Sequence, residues 1–345
     1  MSASRRELEG SATIDGEFDV IASPNDRIDR RTGKHGGAIA QEFPQVFEHR
    51  FGSTTLQTRP ERVVTLTFSG QDHYLAVGVT PVGTRDWYGD FPFAAWPWAQ
   101  DALGDGQPVL FKDISYEQIA ALEPDVIEGL GSGMTEEQYA ELSKIAPTIA
   151  AEAQYTDYST PWAVRARTIG RIVGEADKAD AIVSALEQRF ADVAASHPDW
   201  AGMEAAVAFN VTEFGVYHSI DTRAQILGQL GFKTPAAIDA AGEPDAFWVP
   251  LSEEQMALLD TDLVVWIVGA GDPARIAGMP MRDHLEAARQ GREVVADFPL
   301  SGAFSFATPL SLNYMLDRLV PLIEVAVDGD PATVVETSRE AGLLD

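Results

Sequence analysis

The chain contains no cysteine, few basic residues and no long hydrophobic run. Without cysteine it can form neither disulfide bonds nor thiolate metal sites, and it has no cysteine nucleophile. Lys and Arg total 25 against 53 acidic residues, and the resulting net charge of −28 opposes binding to nucleic acid or anionic lipid. No segment approaches the roughly 20 uncharged apolar residues that a membrane-spanning helix needs. We therefore expect a soluble protein with no nucleic-acid partner.

Length and periodicity divide the chain. Its 345 residues suit two domains with some chain left over. Residues 1–42 are rich in Asp, Arg, Gly and Ser without helical or strand periodicity, which predicts a loosely packed or disordered arm. Residues 175–196 lack Gly and Pro and carry apolar residues at spacings of three and four, which predicts one long helix. We therefore expect an N-terminal lobe at 43–174, a connecting helix at 175–197 and a C-terminal lobe at 198–345.

Two segments resemble each other at a constant offset of 137 residues. Ile114–Gly131 reads ISYEQIAALEPDVIEGLG, and Leu251–Val268 reads LSEEQMALLDTDLVVWIV. Both contain Ser-x-Glu-Gln, then a helical pattern, then an apolar strand. Repeated units of this kind predict parallel sheets. The predicted fold is therefore α/β, with two Rossmann-like lobes joined by a single long helix and a ligand cleft between the lobes.

The two Ser-x-Glu-Gln sequences have two interpretations. In a capping box the Ser and Gln side chains bond the backbone of the first helical turn, and Glu117 and Glu254 merely face the positive end of the helix dipole. Because the motifs occupy matching places in both halves, the two glutamates could instead dock a two-fold symmetric partner through its arginines. The residues alone leave both interpretations open.

Residues 87–98 contain six aromatic side chains among Gly, Pro and Asp residues that break helix and strand patterns. Aromatic residues usually fill cores, but loops on a rigid scaffold often carry function, and we favour ligand contact for this segment. Aromatic faces near a guanidinium suit a bulky, partly apolar ligand with an anionic or electron-rich centre. The predicted ligand-binding residues of both lobes are Arg85, Trp87, Tyr88, Trp96, Trp98, Arg165, Tyr217, Arg223, Trp248, Phe304 and Phe306.

Enzyme signatures are absent or weak. There is no G-x-S-x-G elbow, no P-loop and no H-E-x-x-H pair. Gly269–Ala274 fits the dinucleotide pattern G-x-G-x-x-A after a strand, but Pro273 disfavours such a turn. The six His residues show no close metal-ligand spacing, which argues against direct metal ligation by the protein. An NAD- or flavin-dependent α/β oxidoreductase that uses the Gly269 turn remains the alternative from another functional class.

Three segments resemble the substrate-binding proteins of iron-siderophore and cobalamin ABC importers. They are RVVTL at Arg62–Leu66, the ISYEQIAALEPDVI segment and AFSFATPLSLNYMLDRLVP at residues 303–321. The resemblance covers roughly residues 43–331 and points to the ferric-siderophore branch from actinobacteria. It implies a monomeric binding protein, not an enzyme, that carries a ferric siderophore to the permease of an ABC importer. Cobalamin and heme are the alternative ligands.

The resemblance also implies roles and a location. A glutamate of each lobe pairs with the permease in this family, which corresponds here to Glu117 and Glu254. The chelator supplies the iron ligands, so we expect neither a cofactor nor a protein metal site. The implied location is extracytoplasmic, in the periplasm or at the cell surface as a lipoprotein. The first residues, MSASRRELEG, contain no apolar export segment and no lipobox cysteine. Anchoring therefore stays open, and a cytoplasmic scaffolding role is a third hypothesis.

Overall fold

The computed structural model describes residues 42–156, 159–243 and 246–343. The predicted arm at 1–42 lies, except for Glu42, outside the described residues. Two five-stranded sheets, each covered by helices on both faces, follow a short antiparallel pair of strands. This confirms the predicted α/β fold with two sheet-containing lobes. No helix of the described segments combines the length and apolarity needed to cross a membrane.

The N-terminal lobe is built on a parallel sheet. The antiparallel pair and the strands of this lobe are β1 (Gln45–His49), β2 (Gly52–Leu56), β3 (Val63–Thr65), β4 (Gly83–Arg85), β5 (Val109–Phe111), β6 (Val126–Gly129) and β7 (Thr148–Ala150). The spatial order of the sheet is β5-β4-β3-β6-β7, and every neighbouring pair is parallel. The central strands β3 and β6 are buried along their whole length, because helices cover both faces.

The C-terminal lobe has a mixed sheet. Its strands are β8 (Ala205–Asn210), β9 (Phe214–Tyr217), β10 (Trp248–Pro250), β11 (Leu263–Ile267) and β12 (Glu293–Ala296). Their spatial order is β10-β9-β8-β11-β12, and β9 runs antiparallel to both of its neighbours. In β8, Ala205 and Val207 face one core while Ala206 and Ala208 face the other. This alternation explains why the strand is apolar at every one of these positions.

Thirteen α-helices surround the sheets in the described part of the chain. Those up to the lobe junction are α1 (Gly70–Ala76), α2 (Gln100–Leu103), α3 (Tyr116–Ala121), α4 (Glu136–Leu142), α5 (Trp162–Ile172) and α6 (Ala176–Ser196). Those of the C-terminal lobe are α7 (Thr222–Gln229), α8 (Ala236–Ala241), α9 (Ala274–Ala277), α10 (Glu286–Arg289), α11 (Phe298–Phe306), α12 (Pro309–Ala326) and α13 (Glu336–Glu340). Short 3₁₀ helices lie at Pro92–Ala94, Pro198–Trp200, Glu253–Leu259 and Arg282–His284.

The predicted long helix is present as α6, with 21 residues. Its first turns pack on the N-terminal core through Ala179, and its later turns pack on the C-terminal core through Leu186 and Phe190. The preceding helix α5 crosses the same junction in the opposite direction, with Trp162 in the C-terminal core and Ile169 in the N-terminal core. The two lobes are therefore held by a pair of antiparallel helices that share both cores.

Candidate functional site

A cavity of about 240 Å³ lies between the two lobes. The first half of the chain lines it with Thr67, Phe68, Ser69, Trp87, Gly131 and Arg165. The second half lines it with Asp221, Thr222, Arg223, Phe247 and Ser305. The cavity therefore occupies the cleft that the duplicated pattern predicted, and both halves contribute charged and aromatic groups to it.

The N-terminal wall forms where β3, β4 and β6 end. Parallel strands present their carboxyl ends at one edge of a sheet, and the chain leaves each strand there through an irregular turn that can meet a ligand. Thr67 and Ser69 belong to the turn between β3 and α1, and Gly131 follows β6. The backbone N–H of Gly131 donates to Oγ1 of Thr67 at 2.8 Å, which ties the two turns together.

Arg165 reaches the cavity from α5. Only 8% of its surface is exposed. Its Nη1 donates to Oγ of Ser69 at 3.3 Å, and its Nε is buried without an acceptor. Burial lowers the pKa of Arg165 to about 10, while the nearby carboxylate of Glu128 acts in the opposite direction. The guanidinium is therefore still protonated at neutral pH.

Glu128 lies beneath Arg165 at the end of β6 and is completely buried. Its Oε2 accepts from the hydroxyl of Thr65 at 2.6 Å, and its Oε1 accepts from the hydroxyl of Thr67 and the backbone N–H of Leu130, each at 2.6 Å. Burial raises the pKa of Glu128, and these donors together with Arg165 oppose that shift. The carboxyl group is therefore bound by uncharged donors and forms no direct ion pair within the described residues.

Arg223 reaches the cavity from the first turn of α7. Its Nη1 contacts both carboxylate oxygens of Asp221, at 3.2 and 3.0 Å, and its Nη2 donates to Oγ of Ser305 at 3.2 Å. The guanidinium also lies 4.2 Å from the centre of the Tyr217 ring. Burial disfavours the Arg223 cation, but Tyr217 and Asp221 outweigh it, so the pKa of Arg223 is raised. This cation is held in place and is already paired.

Aromatic side chains from both lobes stand at the cavity. Trp87 and Phe247 remain 38% and 40% exposed, on the N-terminal and C-terminal sides respectively. Phe68 packs 5.3 Å from Trp87, between ring centres, and carries the guanidinium of Arg85 at 4.0 Å on its face. Arg85 itself donates to the backbone oxygens of Lys112 and Ser132 at 3.1 Å. Arg85 therefore supports the aromatic wall and does not line the cavity.

Most of the aromatic segment at 87–98 packs between the lobes instead of facing the cavity. Trp96 is completely buried, with its ring centre 5.0 Å from that of Phe298 and 5.3 Å from that of Phe306. Tyr88 contacts the rings of Trp96 and Phe306, and Trp98 stacks on Trp96. Tyr88, Trp96 and Trp98, which were predicted to contact a ligand, are not among the residues that line the cavity, because helix α11 offers these rings an apolar partner. Trp87 alone among the predicted residues of this segment lines the cavity.

A buried hydrogen-bonded group lies behind this aromatic contact. Oδ2 of Asp72, on α1, accepts from Nε1 of Trp98 at 2.6 Å and from the hydroxyl of Thr308 at 3.1 Å. Thr308 caps α12, so the three residues join the two lobes. Burial raises the pKa of Asp72 to about 7, and the two hydrogen bonds oppose that shift. Trp98 therefore serves the lobe contact with both its ring and its N–H group.

The remaining predicted residues of the C-terminal lobe lie around the site without lining it. Tyr217 and Trp248 are on paired strands β9 and β10, and both rings pack on Phe209. Phe304 is completely buried in the core, and Phe306 is 3% exposed and stacks on Trp87 at 5.6 Å between ring centres. These four residues are not among those that line the cavity, because β9, β10 and α11 direct their rings against neighbouring side chains. Tyr217 and Phe306 instead support Arg223 and Trp87.

The matches to known proteins decide the family. Residues 63–300 match the family described as periplasmic binding protein. The chain belongs to the periplasmic binding protein family. YfiY, a probable siderophore-binding lipoprotein of Bacillus subtilis, is 31% identical over 205 residues, which are 57% of this chain and 59% of YfiY. The match thus spans less than two thirds of that relative's length.

Solved structures agree with this family assignment. A periplasmic solute binding protein from Mycobacterium smegmatis is 32% identical with a TM-score of 0.73, and the match covers 82% of this chain and 99% of that chain. Streptococcus pneumoniae PiaA in complex with ferrichrome is 26% identical with a TM-score of 0.71, covering 83% of this chain and 99% of that chain. The family consists of substrate-binding proteins, and the two-lobed fold of this member agrees with both structures.

In this periplasmic binding protein, Glu117 and Glu254 are exposed at the start of corresponding helical segments. Around them the capping interpretation holds for the neighbours: the Gln118 N–H donates to Oγ of Ser115 at 3.4 Å, and the Ser252 N–H donates to Oε1 of Gln255 at 3.1 Å. The two glutamates themselves take no part in hydrogen bonds or ion pairs within the described residues. Capping therefore explains Ser115 in the first motif and both Ser252 and Gln255 in the second, and the two glutamates remain open to either interpretation.

The sequence analysis missed several lining residues of this binding protein. Thr67, Phe68 and Ser69 directly follow a buried strand, a position that could have identified them. Asp221 is the N-cap of α7, where its side chain accepts from the Arg223 N–H at 2.8 Å. An Asp two residues before an Arg at a helix start is the signal that was available. Phe247 and Ser305 carry no comparable local signal.

The helix that follows the possible dinucleotide-binding turn is very short. Gly269–Ala274 follows β11 as the pattern required, but the helix after it, α9, has four residues. The Gly271 N–H bonds back to the Val268 carbonyl at 2.7 Å, and Asp272 accepts from the Ala274 N–H at 2.9 Å. These bonds use the backbone groups that a phosphate would need. The structure therefore gives the oxidoreductase alternative no support.

Proposed function

We propose that this periplasmic binding protein captures a ferric siderophore in the interlobe cleft and delivers it to the permease of an ABC importer for iron uptake. The observation that carries the proposal is the cavity itself, because each lobe lines it with one guanidinium and at least one aromatic face. A ferric siderophore is a bulky organic shell around an iron centre rich in oxygen atoms. Guanidinium donors suit the oxygen atoms, and aromatic faces suit the shell.

The protein needs no cofactor and no catalytic group for this task, since the chelator already holds the iron. No group of three His, Asp or Glu side chains converges as a metal site within the described ranges. The protein acts as a monomer outside the cytoplasm, either free in the periplasm or attached to the cell surface. Support for the ligand class comes from relatives, since YfiY is named as siderophore-binding and PiaA is in complex with ferrichrome.

Ligand binding is tested by titrating the full chain with ferric hydroxamates, ferric catecholates and ferric hydroxycarboxylates while tryptophan fluorescence is followed. We expect at least one ferric chelate to quench the fluorescence, because Trp87 stands at the cavity. The iron-free chelators serve as controls. The Trp87→Phe variant should lose a large part of the quenching while calorimetry still detects binding. A response to cobalamin or heme, with none to any ferric chelate, would contradict the proposal.

Delivery to a permease is tested separately, with variants at the two exposed glutamates. Reversing both charges, in Glu117→Arg with Glu254→Arg, should abolish uptake of the ferric chelate and leave its affinity unchanged. Glu253→Arg is the matched control, because Glu253 is an exposed neighbour that lies outside the repeated Ser-x-Glu phase. Uptake should survive that change. If the double variant transports normally, the glutamates have no docking role.

A further inference from the structure

The two guanidinium groups of the cavity are in different electrostatic states. Arg223 is paired, since both oxygens of the Asp221 carboxylate lie within 3.2 Å of its Nη1. Arg165 forms no ion pair within the described residues, and its one hydrogen bond goes to the neutral hydroxyl of Ser69. An arginine presents five N–H donors, so most of the donor capacity of Arg165 is unused. The Nε atoms of Arg165 and Arg223 are both buried without an acceptor, so the two residues differ in their ion pairing and not at Nε.

Glu128 carries the carboxyl group nearest to Arg165, but it forms no direct ion pair with the guanidinium. The oxygens of Glu128 accept from two threonine hydroxyls and one backbone N–H, all at 2.6 Å. His73, the other titratable group that interacts with Arg165, is buried, and burial together with Arg165 lowers the pKa of His73 well below its ordinary value. His73 is therefore neutral at neutral pH and adds no negative charge. The surroundings leave the guanidinium of Arg165 without a contacting anion.

We propose that the ligand is a negatively charged ferric chelate, and that Arg165 is the residue that selects for its charge. This inference rests on the proposed function and narrows it to one class of siderophore. Carboxylate or catecholate oxygens at Arg165 would fill its free donors with charge-assisted bonds, which are stronger than bonds between neutral groups. A neutral tris-hydroxamate would offer carbonyl-type oxygens and leave the buried cation without a counterion.

The lining residues support an anion over a neutral ligand in another way. The residues that line the cavity include two arginines and one aspartate, so the lining itself carries an excess positive charge in a chain whose net charge is −28, while the carboxyl group of Glu128 is buried behind it. A positive site within an acidic protein is unlike the surface around it, which repels anions. Arg165, which contacts no counterion among the described residues, is therefore the cation placed to bind an anionic ligand. Arg223 is paired with Asp221. It offers hydrogen-bond donors to the ligand but adds no net charge to the cavity.

The test is a charge series on the full chain. Calorimetric affinities are compared for ferric dicitrate and a ferric tris-catecholate, which are anionic, and for ferrichrome, an uncharged ferric tris-hydroxamate. We expect the better anionic chelate to bind about tenfold to a hundredfold more tightly than ferrichrome. Arg165→Met should remove this preference by weakening the anion about tenfold to a hundredfold while changing the ferrichrome affinity less than about threefold. Arg165→Lys, which retains the charge, should keep a preference for anions.

The outcomes separate the inference from the proposed function. If ferrichrome binds as tightly as both anions, or if Arg165→Met weakens all three chelates equally, the inference is wrong while the ferric-siderophore function stands. If no ferric chelate of any charge binds, the proposed function fails and the inference fails with it. The comparison of the three chelates on the unaltered chain tests the charge preference even if Arg165→Met does not fold, and Arg165→Lys then tests the role of Arg165. Arg223→Met combined with Asp221→Asn serves as a comparison, since this double change removes the cation together with its counterion and should weaken neutral and anionic chelates to a similar extent.

Discussion

The two lobes share a spatial strand order but reach the cleft by different routes. In the N-terminal lobe, β3 leads through α1 into β4, which lies beside it as a parallel strand. In the C-terminal lobe the place beside β8 is taken by β9, which returns directly as an antiparallel strand. After α7, Lys233 forms an isolated parallel bridge with Glu204, the residue that precedes β8. The repeated sequence pattern therefore gives the two lobes the same arrangement of sheet and helices, but the connection from the first to the second strand differs between them.

This difference determines how each lobe supplies its cation. The antiparallel hairpin brings Tyr217 and the turn before α7 to the cleft, so that Arg223 arrives with its own counterion, Asp221. The N-terminal lobe has no such hairpin, and its cation comes from α5, far along the chain, where the turn after β3 offers Ser69 as an acceptor. Asp221 and Arg223 are neighbours in sequence and form an ion pair, whereas Arg165 comes from a distant helix and contacts a neutral hydroxyl.

The lobes also differ in how they hold a buried glutamate. Glu128, near the cleft, is bound by uncharged donors. Glu293, on β12, accepts from Nη2 of Arg282 at 2.6 Å and from Nε1 of Trp266 at 2.8 Å, and both members of this ion pair are at most 4% exposed. Near the cleft, the carboxyl group of Glu128 is therefore surrounded by neutral donors. A buried ion pair away from the cleft serves the fold.

The largest effect should come from breaking that ion pair. Arg282→Met leaves the Glu293 carboxylate buried without its cation, so we expect the free energy of unfolding to fall by about 3–5 kcal/mol. In the other lobe, Glu128→Gln should cost less, about 1–3 kcal/mol, because the threonine hydroxyls can reorient. Urea unfolding measures both. The contrast between the lobes is wrong if Glu128→Gln proves as costly as Arg282→Met, and adding Glu293→Met to Arg282→Met should restore part of the loss.

An intermediate effect is expected where the aromatic segment meets α11. A Cβ at Gly302 would lie 2.3 Å from Cζ3 of Trp96, so Gly302→Ala should overpack the contact between the lobes and cost about 1–3 kcal/mol. Gly228, in α7, is the matched control, since a Cβ there meets nothing within 4 Å. Gly228→Ala should stabilise the protein by about 0.4–1 kcal/mol. Thermal and urea unfolding compare the two, and equal behaviour would remove the claim that Trp96 is packed against the other lobe.

The last effect, small at any single pH step, is a difference in pH dependence between Asp72 and its isostere. Burial raises the pKa of Asp72 to about 7, whereas an unfolded Asp titrates near about 3.9. Between these values the native state binds more protons than the unfolded state, so stability falls as pH rises through this window. In Asp72→Asn the amide oxygen still accepts from Trp98 and Thr308, and this contribution, at most about 1.4 kcal/mol per pH unit, disappears.

To test Asp72, the urea concentration at the midpoint of unfolding is measured from pH 5 to pH 8 for the unaltered protein and for Asp72→Asn. The difference between the two midpoints is then followed as a function of pH. His73 gives an opposing slope in both, because its lowered pKa makes stability rise as pH approaches about 6.5 from below. Subtracting one protein's midpoint from the other's at each pH cancels the contribution of His73, because it is the same in both. Parallel curves for the unaltered protein and Asp72→Asn would show that Asp72 keeps an ordinary pKa at the lobe contact.

Much of the architecture was predictable because it depends on local periodicity. The long helix, the two strand-and-helix repeats and the glycines that end α1 and α7 follow from residue spacing, and Gly78 and Gly231 indeed have positive φ values of 82° and 108°. The position of the cleft followed from the two repeated lobes and the helix that joins them. The fate of the aromatic segment was not predictable, because rings such as Trp96 pack against Phe298 and Phe306, about 200 residues away along the chain.

The sequence by itself determined the layers, the long α6 helix and the presence of arginines and aromatic residues that suit a large electron-rich ligand. Only the tertiary structure decided which of these groups face the cavity and which guanidinium has a partner. The physical reason is that helix and strand formation depends on neighbours within a few residues, whereas burial and ion pairing depend on side chains that approach from distant parts of the chain. Arg165 and Arg223 are the same residue type in sequence, and they differ because Asp221 lies beside one of them and not the other.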